Sequence, residues 1–274
     1  MKKLILLLIL LFFSIQCKGY VIDSISNKVE EKNYQRIISL APSITETLKF
    51  LGLESRIVGI TRYCNIKGKE EVGGLYDLKI EKIIYLKPDL VLMLKTGNIE
   101  NYEILKSKNI NVFVLDYRTV EDIFINLEKI SKLTKTIEEN RKSIYKLKED
   151  YNNTVKKAKE ILKGKRVFVM YSYPLIYTAS SNSYVAQIIR ETGCINLSDK
   201  LPSKYQSLTV NLETVLSFSP DIVIITENNY ESITNELTKL GLKSSFVYIN
   251  PLEISPIPTF YKFIDKVANL ITSN

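Results

Sequence analysis

Residues 136–163 have the sequence TIEENRKSIYKLKEDYNNTVKKAKEILK. Apolar residues recur there at intervals of three, four and seven, which places them on one stripe of an α-helix. They are Ile137, Ile144, Leu147, Tyr151, Val155, Ala158 and Ile161. The spacing of Thr136 and Glu139 predicts a capping box at the start, and Gly164 predicts the end. At 1.5 Å per residue the helix would be roughly 42 Å long, which favours a strut between two lobes over a coiled coil.

Short apolar segments alternate with helical segments on both sides of this helix. Residues 36–41, 56–61, 90–94 and 112–116 are predicted strands of the first half, and residues 166–171 begin the second half. Ser43 and Glu46 predict a second capping box, for the helix that follows the first strand. The strands are continuous apolar runs, a pattern typical of parallel sheets that are covered on both faces.

The two halves contain an internal repeat. Residues 81–92 (EKIIYLKPDLVL) align without gaps with residues 213–224 (ETVLSFSPDIVI), at an offset of 132 residues, and Glu, Pro, Asp and one Val (Val91 with Val223) coincide. The repeat predicts two α/β lobes of related design, with a ligand cleft between them at the carboxyl ends of the strands. We predict an N-terminal lobe over residues 36–118, interlobe helices over 119–164 and a C-terminal lobe over 165–274.

The first 17 residues are predicted to be an export signal, because two lysines precede an apolar run that is too short to span a bilayer. Residues 14–17 resemble a relaxed lipoprotein box, with Gln16 where a small residue is usual. This favours lipidation of Cys17, and plain secretion remains the alternative. Residues 18–35 are polar and are predicted to form a flexible tether.

Composition excludes several classes of function. The net charge is +8, but the lysines are scattered among many acidic residues, so no basic groove for nucleic acid is predicted. The chain has no histidine, which excludes the usual zinc sites and a histidine general base. Cys64 and Cys194 fall in different predicted lobes and are therefore expected to be unpaired thiols.

Several ordered motifs resemble one family of proteins. They are RIISLAPS at 36–43, VGIT at 58–61, VGG at 72–74, the block 78–92 and its repeat at 212–224. Together they are similar to the solute-binding proteins of ABC importers for cobalamin, ferric siderophores and haem, over residues 36–271. The resemblance implies two Rossmann-like lobes with parallel sheets, joined by a single long rigid helix, with the ligand cleft between the lobes.

The resemblance also implies the function. The protein would be an extracytoplasmic, membrane-anchored lipoprotein that captures an iron chelate (siderophore or haem) or cobalamin and delivers it to an ABC importer permease. It would act as a monomer, without catalytic residues or a cofactor of its own. The family pattern places permease-docking glutamates at Glu81 and Glu213, each at the start of a predicted helix. The alternative is that each acid only complements a helix dipole.

Ligand-binding candidates are the polar and aromatic residues that follow predicted strands. They are Ser43, Arg62, Tyr63, Tyr76, Thr96, Tyr173, Tyr177 and Glu227. Tyrosine offers a flat apolar face to a macrocycle and, as phenolate, a ferric ligand. No residue is expected to bind a metal directly unless the ligand is haem, when Tyr63, Tyr76 or Tyr173 would be the axial ligand. The amide end of the helix at Ser43 could hold an anionic group of the ligand, or Ser43 could simply cap it.

Two other classes of function remain open. One is a two-lobed α/β transferase-like enzyme, although the sequence contains no phosphate-binding glycine loop and no nucleophile elbow. The other is a surface lipoprotein that binds no ligand. Within the leading class, the absence of tryptophan removes one stacking surface for cobalamin and favours an iron chelate.

Overall fold

The computed structural model describes residues 18–75, 77–97, 99–201 and 203–272, and the side chain of Ile99 is also outside the description. Strands and helices alternate, and the two largest sheets consist of parallel strands only. The α/β class with two parallel sheets is therefore confirmed. The predicted export signal, with Cys17, lies outside the described residues, as does Tyr76.

The segment predicted to be a flexible tether, residues 18–35, is instead an ordered part of the fold. β1 (Tyr20–Ile22) and β2 (Lys28–Glu30) form an antiparallel hairpin. Val21 and Val29 of the hairpin, and Tyr34 shortly after it, are buried in the main core. The apolar residues of this segment are isolated among polar ones, so they form no periodic pattern from which a buried strand could be predicted.

The turn of the hairpin is bonded to an edge strand. The Ser24 amide donates to the Val114 carbonyl (2.9 Å), and the Val114 amide donates to the Asp23 carboxylate (3.1 Å). The Asn27 side chain donates to the carbonyl of Val112 at 3.2 Å. These bonds satisfy backbone groups of an edge strand that would otherwise face solvent.

The first half forms a five-stranded parallel sheet with the order β5-β4-β3-β6-β7. The strands are β3 (Ile37–Ser39), β4 (Ile57–Ile60), β5 (Glu70–Glu71), β6 (Leu90–Leu94) and β7 (Val112–Leu115). The helices are α1 (Pro42–Phe50), α2 (Ile80–Tyr85) and α3 (Ile99–Ser107). Every residue of β3 and β7 is buried, which is why these strands lack the alternation of a half-exposed sheet.

A helical hairpin connects the two sheets. α4 (Val120–Leu133) is followed by α5 (Ile137–Leu162), which has 26 residues and confirms the helix predicted over 136–163. Most of the predicted stripe is buried, although Ile137, Val155 and Ile161 are only partly covered. Asn140 and Leu162 are buried on the same helix and were not predicted.

The second half forms a four-stranded parallel sheet with the order β10-β8-β12-β13. Two further strands form a separate antiparallel ribbon. The strands are β8 (Arg166–Met170), β9 (Ile176–Ala179), β10 (Ile195–Asn196), β11 (Ser207–Val210), β12 (Ile222–Ile225) and β13 (Ser245–Tyr248). The helices are α6 (Tyr184–Glu191), α7 (Leu212–Phe218), α8 (Tyr230–Lys239) and α9 (Phe263–Thr272).

The internal repeat is present in three dimensions. In the first sheet β3 lies between β4 and β6, with β7 outside β6. In the second sheet β8 lies likewise between β10 and β12, with β13 outside β12, and only the short edge strand β5 has no counterpart. Residues 81–92 form most of α2 and the start of β6, and residues 213–224 form most of α7 and β12. Between helix and strand, Lys87 (φ 46°) and Ser219 (φ 49°) both have left-handed backbones at equivalent positions. The two lobes therefore share backbone conformation as well as strand order.

Equivalent aspartates join the repeated segments to the first strand of each lobe. Asp89 accepts from the amides of Gln35 (2.8 Å) and Arg36 (2.9 Å). Asp221 accepts from the amide of Arg166 at 2.7 Å, and its carboxylate also pairs with the Arg166 guanidinium at 3.0 Å. The coincident Pro-Asp pairs of the sequence thus have the same structural role in both lobes.

Two predicted capping boxes do not form. The N-cap residue of α1 is Ala41, so Ser43 lies inside the first turn, and Glu46 pairs with Lys49 at 2.8 Å. At α5 the Thr136 side chain makes no capping bond and lies 3.1 Å from the Thr134 hydroxyl. At α1, Pro42 occupies the first helical position, which makes Ala41 the N-cap. At α5, the Thr136 hydroxyl bonds back to the preceding turn.

Candidate functional site

A cavity of about 400 Å³ lies past the carboxyl ends of β3, β4 and β6. The chain that leaves these strands provides Ser43, Thr61 and Leu94, and the opposite wall contains Ser255 and Pro256 from the segment between β13 and α9. Residues of both halves therefore enclose one space. This position is where open α/β folds bind ligands, and the volume falls within the range of small-molecule sites.

Two of the predicted ligand-binding residues line this cavity. Ser43 is in the first turn of α1 and is only 5% exposed. Tyr63 follows β4 and is 66% exposed, which leaves its ring free to contact a ligand. The rest of the wall is mainly apolar, with Leu40 and Leu75 beside Leu94. A wall of this composition suits a large ligand with a flat apolar surface.

Arg62 lies beside the cavity and is held by acids. Its guanidinium bonds to the Asp77 carboxylate, and its Nε lies 4.0 Å from Glu71. The hydrogen bond from Arg62 is the main cause that holds the pKa of Asp77 below its usual value. The guanidinium carbon also lies 5.8 Å from the centre of the Tyr63 ring, a cation–π distance. The loop that bears Tyr63 is thus braced by an ion pair.

The candidates from the second half, and Thr96, do not line this cavity. The Tyr173 hydroxyl donates to Glu236 at 2.6 Å, which raises the pKa of Tyr173 and disfavours its phenolate. Tyr177 is exposed on β9, Glu227 is half-buried after β12, and Thr96 is exposed after β6. The structure does not bring these four residues together with Ser43. Tyr76, outside the described residues, remains a prediction.

A second pocket of about 370 Å³ lies past β12 and β13 in the second half. The rings of Tyr230 and Tyr248 meet edge to face there, with centres 6.0 Å apart. The Tyr248 hydroxyl donates to Asn228 at 3.1 Å. These residues were not predicted, because their surroundings contain no motif and tyrosine is common in this chain.

Residues 37–245 match the family model described as periplasmic binding protein. The chain belongs to that family. Its function is to bind a solute for transport, outside the cytoplasm. The two-lobed architecture and the cavity at the strand ends agree with this assignment.

Three known proteins illustrate the similarity of this periplasmic binding protein. The vitamin B12-binding protein of Pectobacterium carotovorum is 26% identical over 201 residues, which cover 70% of this chain and 71% of the relative. An ABC transporter substrate-binding lipoprotein of Bacillus subtilis, YvrC, is 27% identical over 229 residues, covering 75% and 68%. The haem-binding protein RhuT of Roseiflexus superposes with a TM-score of 0.77 at 16% identity, covering 87% of this chain and 98% of RhuT.

The two glutamates singled out from the repeat occupy equivalent places in this periplasmic binding protein. Glu81 is the second residue of α2, and Glu213 is the second residue of α7. Both side chains are exposed. Neither forms an ion pair or a side-chain hydrogen bond with another described residue. Their carboxylates are therefore available to a partner.

The two cysteines of the described residues are unpaired. Cys64 and Cys194 are both free, which confirms that they are unpaired. Cys64 Sγ lies 3.2 Å from the hydroxyls of Thr45 and Thr61, in a polar network just below the cavity. Nowhere in the described ranges do three or more Cys, Asp or Glu cluster to hold a metal ion. Likewise, none of the described helices is long and apolar enough to cross a membrane.

Sequence reasoning missed the far wall of the cavity. Ser255 and Pro256 belong to residues 251–258, which contain three of the eight prolines of the chain. Such a segment between a strand and a helix indicates an ordered loop, but not the place where the loop packs. Leu75 and Asp77 were also missed, although they follow the predicted Val-Gly-Gly motif directly.

Proposed function

We propose that this periplasmic binding protein captures a bulky metal chelate, either an iron chelate (siderophore or haem) or cobalamin, and delivers it to an ABC importer permease. The observation that carries the proposal is the mainly apolar cavity enclosed by both halves of the chain, with the exposed Tyr63 ring in its wall. A flat aromatic surface beside aliphatic side chains favours a large planar solute over a small polar one. The protein acts as a binding protein without catalysis and has no cofactor of its own.

The relatives support this class of ligand. The named ligands of the two characterised proteins, vitamin B12 and haem, are both large metal macrocycles. For haem, Tyr63 is the strongest axial-ligand candidate among the described residues, because it lines the cavity and is exposed. Tyr173 is a weaker candidate, since its hydroxyl is bonded to Glu236.

A thermal-shift panel of cobalamin, haem and several ferric siderophores tests the ligand class. A ligand at about 100 times its Kd stabilises the native state by about 2.7 kcal/mol. For a chain of this size that corresponds to a rise in Tm of roughly 5–11 °C. We expect one chelate to produce this rise, Tyr63→Ala to reduce it, and Tyr145→Ala, at an exposed site on α5, to leave it unchanged.

A panel in which no chelate raises Tm would refute the proposed ligand class. Stabilisation by a nucleotide sugar, with turnover, would instead favour a transferase-like enzyme. Loss of the shift in both tyrosine variants would show that the shift does not report on the cavity.

The exposed glutamates support docking to a permease dimer. Glu81 and Glu213 are placed by the same local structure in two related lobes, and each presents an unpaired negative charge. Two equivalent acids suit a twofold-symmetric partner with basic side chains, through steering and charge-assisted hydrogen bonds. A role limited to the helix dipole would not require the same residue in the same register twice.

Charge reversal tests the docking surface. We expect Glu81→Lys combined with Glu213→Lys to abolish chelate uptake by cells or proteoliposomes that contain the permease. Chelate affinity should stay within about twofold, because neither residue lines the cavity. Glu149→Lys, an equally exposed change on α5, is the matched control and should transport normally. Unchanged uptake by the double variant would end the docking proposal.

Lipidation of Cys17 would hold the protein on the outer side of the membrane. The charge pattern and the cysteine at the end of the predicted signal support it. Membrane fractionation and intact mass of the wild type and of Cys17→Ser provide the test. We expect the wild type to fractionate with membranes and to carry the lipid mass, and the variant to be released. A variant that remains on the membrane would contradict lipid anchoring.

A further inference from the structure

Tyr85 is an exposed aromatic residue beside Glu81, one of the two proposed docking acids. Its side chain is 81% exposed and forms no hydrogen bond or ring contact with any other described residue. It is the last residue of α2, four positions after Glu81. Residues four apart lie on the same face of a helix, with Cβ atoms about 5–6 Å from each other. An unpaired carboxylate and a free aromatic ring are therefore neighbours on the surface of the first lobe.

The exposed ring is not needed for the packing of α2. Ile83 and Leu86 attach this helix to the core of the first lobe, and both are buried. Ile84, next to Tyr85, is itself 38% exposed, so two apolar side chains accompany the acid on the outer face. Tyrosine is one of the residues that contribute most to the affinity of protein–protein interfaces. This composition indicates a contact surface for another protein.

The second lobe lacks the ring. The offset of 132 residues places Ser217 of α7 at the position of Tyr85, four residues after Glu213. Ser217 is exposed, and its hydroxyl donates to the carbonyl of Thr214 at 3.0 Å. Only the first of the two repeated segments therefore combines the docking acid with an aromatic side chain.

The chain shows beside its cavity what an acid and a tyrosine can bind together. There the Arg62 guanidinium bonds to the Asp77 carboxylate, while its central carbon lies 5.8 Å from the centre of the Tyr63 ring. A guanidinium suits both contacts, because its planar fork pairs with a carboxylate and its face stacks on an aromatic ring. A lysine would match the charge, but not the stacking geometry.

We propose that Glu81 and Tyr85 together bind one arginine side chain of the permease, and that the first lobe therefore contributes more to the affinity of the complex than the second. This inference rests on the proposed docking function and adds the chemistry of one contact. The Glu81 carboxylate would accept from the guanidinium, and the face of the guanidinium would lie on the Tyr85 ring. A twofold-symmetric permease presents the same arginine to the second lobe, where it would meet the Glu213 carboxylate without a ring.

The Kd for the permease that supports chelate uptake, reconstituted in nanodiscs, tests the arginine site. We expect Tyr85→Ala to raise this Kd about tenfold and Tyr85→Phe, which keeps the ring, to raise it less than about threefold. Ser217→Tyr gives the second lobe a ring and should lower the Kd about threefold or more. Tyr145→Ala, at an exposed ring on α5, is the matched control and should leave it unchanged. Chelate affinity should be the same in all four variants, since none of these residues lines the cavity.

A double-variant cycle distinguishes one shared arginine from two separate contacts. If one arginine contacts both residues, Glu81→Ala combined with Tyr85→Ala should raise the Kd by less than the product of the single effects. Single effects that multiply, a Kd unchanged by Tyr85→Ala, or a Kd not lowered by Ser217→Tyr would overturn the inference.

Charge reversal separates this failure from failure of the docking proposal. If Glu81→Lys with Glu213→Lys prevents binding while Tyr85→Ala has no effect, docking through the acids stands and the arginine site is wrong. If neither change affects binding to the permease, both proposals are wrong.

Discussion

Replacement of Phe260 by alanine should destabilise the whole molecule, because this ring connects elements that are distant in sequence. Phe260 is fully buried. Its ring centre lies 5.9 Å from that of Phe124 on α4, 5.2 Å from that of Tyr151 on α5 and 5.6 Å from that of Tyr261. The four rings join the helical hairpin to the C-terminal segment, and all four belong to the largest core cluster.

The expected loss follows from the cavity that the substitution leaves. Truncation of a fully buried Phe to Ala costs about 3–5 kcal/mol. In a chain of this size that lowers Tm by roughly 6–20 °C. Phe260→Leu keeps most of the volume and should cost about 1.5 kcal/mol or less. The assay is urea unfolding followed by far-UV circular dichroism, since the chain has no tryptophan.

An exposed aromatic ring on the same long helix provides the control. Tyr145→Ala removes an aromatic ring that is 72% exposed on the same long helix and should change stability by less than about 0.5 kcal/mol. A Phe260→Ala variant that loses less than about 1.5 kcal/mol, or no more than Tyr145→Ala, would contradict the packing described for the four rings.

Two further predictions concern the aspartate of the second repeat and the double glycine. The Arg166 guanidinium holds the pKa of Asp221 below its usual value, so the stability that this contact contributes is present above roughly pH 4 and disappears as pH falls through the lower folded-state pKa. Asp221→Asn should therefore lower the free energy of unfolding at pH 7, measured by urea titration, by about 1 kcal/mol or less, because the pair is partly exposed. The difference should vanish below the folded-state pKa of Asp221, and an equal difference at pH 7 and at that acid pH would refute this. Gly73→Ala should cost about 1–3 kcal/mol, because φ is +100° and the new Cβ would lie 2.3 Å from the backbone oxygen of Asp77. Gly74→Ala should cost less stability but weaken chelate binding, since its Cβ would meet only side chains, those of Asp77 (2.5 Å) and Arg62 (3.2 Å), beside the cavity. Equal urea midpoints for the two glycine variants would contradict the geometry.

Much of the architecture was predictable because its patterns are local and repeated. The stripe on α5 needs only the helical period, and Ile144, Leu147 and Tyr151 are buried as predicted. The repeat placed Glu81 and Glu213 at the starts of two helices, since the same short sequence forms the same helix, turn and strand in both lobes. These inferences did not require knowledge of long-range packing.

The parts of the structure that were not predictable depend on contacts between segments that are distant in the sequence. Ser43 and Tyr63 line the cavity as expected for residues after parallel strands, which gather at one edge of a sheet. Ser255 and Pro256 were missed, because no local pattern shows that a loop near the C-terminus packs across the ends of strands from the first half. The hairpin of β1 and β2 was missed for the same reason, since its burial depends on the strand and helix that it meets.

That hairpin has a consequence for the solubility of the protein. β7 is the outermost strand of its sheet and consists of the apolar residues Val112–Leu115. An open strand edge of this kind recruits strands from other molecules and promotes aggregation. The bonds from the turn at residues 23–27 block part of that edge. A shortened chain that begins after residue 35 should self-associate under conditions in which the longer chain stays dispersed.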